Sequence, residues 1–99
     1  METILLSADG EISAYNVPDI VENKLEEYCL EFSNWLESSN EAKYFRKRGG
    51  LCFNEKDFID YLNKYKFPNE KSYLIETLFN VSSKKHIPHK YKKYKLFNF

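Results

Sequence analysis

The sequence predicts one α+β domain: an N-terminal β-hairpin plus a third short strand packed against three helices, followed by a basic C-terminal tail. Three observations carry this expectation. Two apolar-leaning runs, Thr3 to Ser7 and Glu11 to Tyr15, flank Ala8-Asp9-Gly10; a long amphipathic stretch follows them; and no repeat or linker divides the 99 residues.

Asp-Gly between two such runs is a strong short-range hairpin signal, because a two-residue turn of the favoured hand needs residues that tolerate positive φ. Val17-Pro18-Asp19 then opens a helix, with proline set for the first turn and Asp19 and Glu22 at capping-box spacing. At about 100° per residue, Val21, Leu25, Tyr28, Cys29, Phe32, Trp35 and Leu36 fall within an arc of roughly 120°, the width of a core-facing stripe. This helix is expected to run unbroken to Ser38-Ser39. Gly49-Gly50 interrupts the chain, and Leu51-Cys52-Phe53 reads as a strand that pairs with the hairpin. Asn54 is placed to cap a second helix carrying Phe58, Tyr61, Leu62 and Tyr65, which Phe67-Pro68 stops. A third helix is expected from Asn69, with Leu74, Ile75, Leu78 and Phe79 on one side. The domain then spans residues 1–80. Residues 81–99 form a basic aromatic tail, either mobile or docked as an edge strand through Tyr94 to Phe99.

With 42% hydrophobic and 17% aromatic residues, a packed core is attainable. Two cysteines are too few for a disulfide framework, and Met1 to Ser7 is neither a signal peptide nor a lipidation signal. No apolar stretch approaches the roughly 18 residues of a membrane span. The expected location is therefore the cytoplasm, with no membrane partner.

The pieces Ile4-Leu5-Leu6-Ser7, Val17-Pro18-Asp19, Tyr28-Cys29-Leu30-Glu31-Phe32, Trp35-Leu36, Asp57-Phe58-Ile59 and Phe67-Pro68-Asn69-Glu70 resemble a group of small bacterial proteins with no assigned activity. The resemblance covers about residues 1–80 and leaves the tail out. It implies no catalytic motif.

Cys29, Cys52, His86 and His89 are the residues a zinc site would use, but the cysteines have 22 residues between them with no Cys-x-x-Cys knuckle. Both cysteines are expected to be structural, Cys29 on the apolar arc and Cys52 buried in a strand. A Cys–His catalytic pair has no local support, and no phosphate-cradling glycine loop is present. The sequence thus predicts a non-enzymatic protein with no cofactor, no metal and no small-molecule substrate.

Charge is the sharper signal. Residues 1–42 carry a net −9, residues 43–79 a net +3 and residues 80–99 a net +6, so a neutral chain is strongly polarised. Arg46, Lys47 and Arg48, with Lys84, Lys85, Lys90, Tyr91, Lys92, Lys93, Tyr94 and Lys95, form a basic candidate surface. Lysines there would neutralise phosphates, and rings would stack on bases. Glu22, Glu26, Glu27, Leu30 and Glu31 form an acidic one, with Leu30 as an apolar anchor. The expected function is binding to an unidentified protein or nucleoprotein complex, as an inhibitor or modulator of the phage- or plasmid-borne, anti-defence (anti-CRISPR-like) kind. Alternatives are a nucleic-acid-binding protein using the tail, or an immunity protein or antitoxin using the acidic helix.

Overall fold

The computed structural model describes residues 1–8, 11–48, 50–78 and 87–99. Strands β1 (Glu2–Ala8) and β2 (Glu11–Val17) pair antiparallel from Glu2↔Val17 to Ala8↔Glu11, the hairpin expected from sequence. The Asp9-Gly10 turn itself lies outside the described residues. Both strands are buried almost throughout, and Ile4 to Ala8 in succession are inaccessible, so the sheet is covered on two sides. The continuous apolar run Ile4-Leu5-Leu6 is the sequence mark of such a strand.

The helical layer covers one side. Helix α1 (Asp19–Asn23) and helix α2 (Leu25–Ser38) replace the single helix predicted. The break falls at Lys24 (φ −122°, ψ 39°), next to a carbonyl taken out of the helical ladder: the Lys95 ammonium donates to the Glu22 backbone oxygen at 2.9 Å. A side chain inserted into the i→i−4 ladder is a recognised cause of kinking. The capping-box reading at Asp19 is also corrected, because Pro18 occupies the N-cap and no side chain caps this end. The predicted stripe holds: Val21, Leu25, Cys29, Phe32 and Leu36 are buried, with Tyr28 and Trp35 packed at its margin.

After a 3-10 turn (Asn40–Phe45), β3 (Arg46–Lys47) and β4 (Gly50–Leu51) form a separate two-stranded ribbon. Leu51-Cys52-Phe53 therefore does not join the hairpin. Leu51 pairs with Arg46, only Phe53 turns into the core, and Cys52 is exposed, not buried as expected. Gly50 sits at φ +139°, where a side chain would be strained. Helix α3 (Glu55–Tyr61) begins with the predicted cap, a full box in which Asn54 and Asp57 each accept the other's backbone N–H. It runs into a π turn (Leu62–Lys66).

The predicted third helix is instead strand β5 (Tyr73–Leu78), antiparallel to β2. Tyr73, Ile75 and Thr77 are aromatic or β-branched and favour extended backbone, and β2 offered an unpaired edge to them. A bulge lies between the Ala14↔Glu76 and Tyr15↔Leu74 pairs. Phe79 lies outside the described residues. The last segment is docked: β6 (Leu96–Asn98) runs parallel to β1, completing the order β5-β2-β1-β6.

Two apolar clusters lie on the two sides of the sheet. Ile4, Leu6, Tyr15 and Val17 meet the helices around Phe32, whose ring contacts Phe53, Phe58, Tyr61 and Phe99. Leu5, Ile12, Ala14 and Leu78 meet Ile87 and Tyr91 from the final segment.

Candidate functional site

The sheet divides the basic candidates: the turn around Tyr91 and Tyr94 lies on the side away from the helices, whereas Arg46 and Lys95 reach the α1–α2 layer that carries the acidic surface.

On α2, Glu26, Glu27, Leu30 and Glu31 are all exposed, with Leu30 at 63%. Their three- and four-residue spacing places them on one face. Not every carboxylate is available. Lys66, delivered by the π turn, lies 2.8 Å from Glu31, and this bond raises the Lys66 pKa above its ordinary value. Glu22 belongs to the kink: its carboxylate lies 3.5 Å from the Lys95 ammonium that also takes its carbonyl. Glu22 is thus a structural residue, not part of an open acidic face, because the tail folds back onto it. A cleft of about 540 Å³ lies where Lys24, Glu26 and Glu27 face Lys95, Leu96 and Phe97.

The basic candidates divide in the same way. Arg46 donates to the Leu36 carbonyl at 2.8 Å, satisfying the C-terminal end of α2, so it holds the fold rather than a partner. Lys47 and Arg48 remain exposed beside it. Tyr91 is 7% exposed, its ring packed in the second cluster and its hydroxyl donating to Glu76. That hydrogen bond, with burial, pushes Tyr91 up to about 12, and it lowers Glu76 below the ordinary carboxylate value. Lys90 lies 3.4 Å from the same carboxylate. Tyr91 therefore offers no ring for stacking, and Lys90 and Lys95 are already paired within the chain. Lys92 and Lys93 are exposed, Tyr94 is half-buried, and Lys84 and Lys85 lie outside the described residues.

His89, weighed from sequence only as a metal ligand or catalytic partner, lines with Lys90, Lys92, Lys93 and Tyr94 an open cleft of about 680 Å³. Sequence reading missed Lys66 and Asn63, whose roles rest on contacts to residues far away or in another element. Nothing local marks such partners.

Cys29 is buried, and burial, with the Glu26 charge second, pushes its thiol up to about 12. Cys52 stands beside the helical layer, whereas His89 lies across the sheet. His86 is outside the described residues. Among the described residues no three His, Cys, Asp or Glu side chains converge as metal ligands would, and no helix is long and apolar enough to cross a membrane. No family model, curated protein or solved structure matches the chain.

Proposed function

We propose that this is a non-catalytic binding protein that docks a macromolecular partner on the outer face of α2. The observation that carries this reading is Leu30, 63% exposed and flanked on one helical face by Glu26 and Glu27. A large apolar residue ringed by carboxylates suits a partner whose surface is basic around a small apolar pocket, since the anchor supplies affinity and the charges supply rate and register. The face is firm: α2 is held from beneath by Phe32 and Leu36 and at its end by Arg46. Proteins that grip nucleic acid carry basic grooves of this kind, and inhibition or modulation of such a complex is the corresponding role.

The test is affinity capture from the source cell with the wild-type chain and with a Glu26→Lys, Glu27→Lys, Leu30→Ser variant of equal melting temperature. A partner retained by the wild type and lost with the variant supports the reading. Identical capture by both proteins, or none by either, overturns it.

A further inference from the structure

His89, Lys90, Lys92, Lys93 and Tyr94 line one cleft, in which Lys90 is already paired with Glu76. Among the described residues no carboxylate lines this cleft. Glu76, which pairs with Lys90, also accepts from the Tyr91 hydroxyl. Lys92 and Lys93 are exposed and enter none of the ion pairs among the described residues. Two cations, a histidine and a ring thus share one concave surface.

The backbone beneath this surface is held by its own hydrogen bonds and by the sheet. Three backbone bonds close the turn, from Tyr91 to the Pro88 carbonyl (2.9 Å), from Lys92 to His89 (3.2 Å) and from Tyr94 to Tyr91 (3.1 Å). Buried Ile87 and Tyr91 pin it to the sheet. The Lys93 ammonium stands 5.3 Å from the centre of the Tyr94 ring, so a cation and an aromatic surface are presented together. Preorganised groups lose little freedom on binding.

We infer that this cleft binds single-stranded nucleic acid, with Lys92 and Lys93 on phosphates and Tyr94 against a base. Phosphate neutralisation by lysine together with stacking on an aromatic ring is the general chemistry of single-strand recognition, and the half-buried Tyr94 has only the part of its ring left open by the second apolar cluster to offer a base. Because the sheet lies between this cleft and α2, both surfaces can be occupied at once. The inference therefore stands or falls independently of the helical docking face.

The experiment is fluorescence anisotropy of a labelled oligothymidylate with the full chain at low salt, repeated at fourfold higher salt. With two to three phosphates neutralised, affinity should fall roughly sevenfold to twentyfold over that range. Lys92→Glu with Lys93→Glu should abolish binding, whereas Lys43→Glu with Lys64→Glu, equal in charge but outside the cleft, should leave most of it. Tyr94→Phe should bind normally and Tyr94→Leu at least about fivefold more weakly at unchanged melting temperature of the fold. Absence of binding at low salt overturns the inference, as does equal loss in both charge-reversed pairs. Equal displacement of the oligonucleotide by polyglutamate or inorganic polyphosphate at matched charge also overturns it, since charge alone would then account for binding.

Discussion

Asn63 brackets the backbone of Ser72, its Oδ1 accepting from the Ser72 N–H at 2.7 Å and its Nδ2 donating to the Ser72 carbonyl at 3.0 Å. One amide thus satisfies both main-chain groups of a buried residue immediately before β5, as a neighbouring strand would. The π turn that carries Asn63 therefore guides the chain into β5. Asn63→Ala leaves both groups unpaired and should cost about 2–4 kcal/mol in urea unfolding. Asn63→Asp keeps the acceptor alone and should recover only part of this. A loss below about 0.5 kcal/mol for the alanine variant would show that the bracket is dispensable.

Phe32 is the centre of the helical-side core, fully buried and in contact with rings from α2, α3, the segment after β4 and the final residue described. Phe32→Ala should cost about 3–5 kcal/mol, a large share of a domain this size. Thermal melting checks it.

Phe97 and Phe99 pack against the same core, and β6 bonds to β1 through the Leu5 N–H to Lys95 carbonyl and Phe99 N–H to Ser7 carbonyl contacts, both 2.8 Å. Removing the final segment should therefore lower the melting temperature, not merely delete a binding arm. Phe99→Ala alone should cost about 2–4 kcal/mol by denaturant unfolding.

The two thiols should differ in reactivity. Cys52 is exposed, whereas Cys29 is buried with its pKa pushed from 9.0 up to about 12. A thiol reagent near neutral pH should titrate one cysteine in the native chain and both after unfolding. Two fast equivalents in the native state would contradict the buried position of Cys29.

Alkaline pH should destabilise the fold. Burial chiefly raises Cys29 and Tyr15 to about 12, and the Glu76 hydrogen bond chiefly raises Tyr91 to about 12, from unfolded values of 9.0 for the thiol and 10.0 for the phenols. Between those limits the unfolded chain holds fewer protons than the folded one, so stability falls as pH rises. Glu76, lowered by the Tyr91 hydroxyl, acts at the other end: its contribution is present above 4.5 and is lost as pH falls through its lowered value. Urea midpoints measured from about pH 8 to about pH 11 should decline, and Cys29→Ala should flatten the earliest part of that decline.

What the sequence by itself determined was local or strongly periodic. The antiparallel hairpin, the Asn54 helix cap and the stripe from Val21 to Leu36 depend on neighbours within one turn, where spacing decides the outcome. Exposure of Leu30 was legible too, because a leucine opposite the stripe has no core to enter. The tertiary structure decided what depended on unsatisfied partners elsewhere. Leu74, Ile75 and Leu78 fit helical spacing, yet the open edge of β2 and the Asn63 bracket made that segment a strand. Lys95 meets the carbonyl at the break in the long helix from 73 positions away, and the same fold-back consumed Glu22, while Glu76 took up Lys90 and Tyr91. Which charges remain open to a partner was therefore set by long-range pairing, since composition records how many charges a chain carries and only the packed chain shows which have already met.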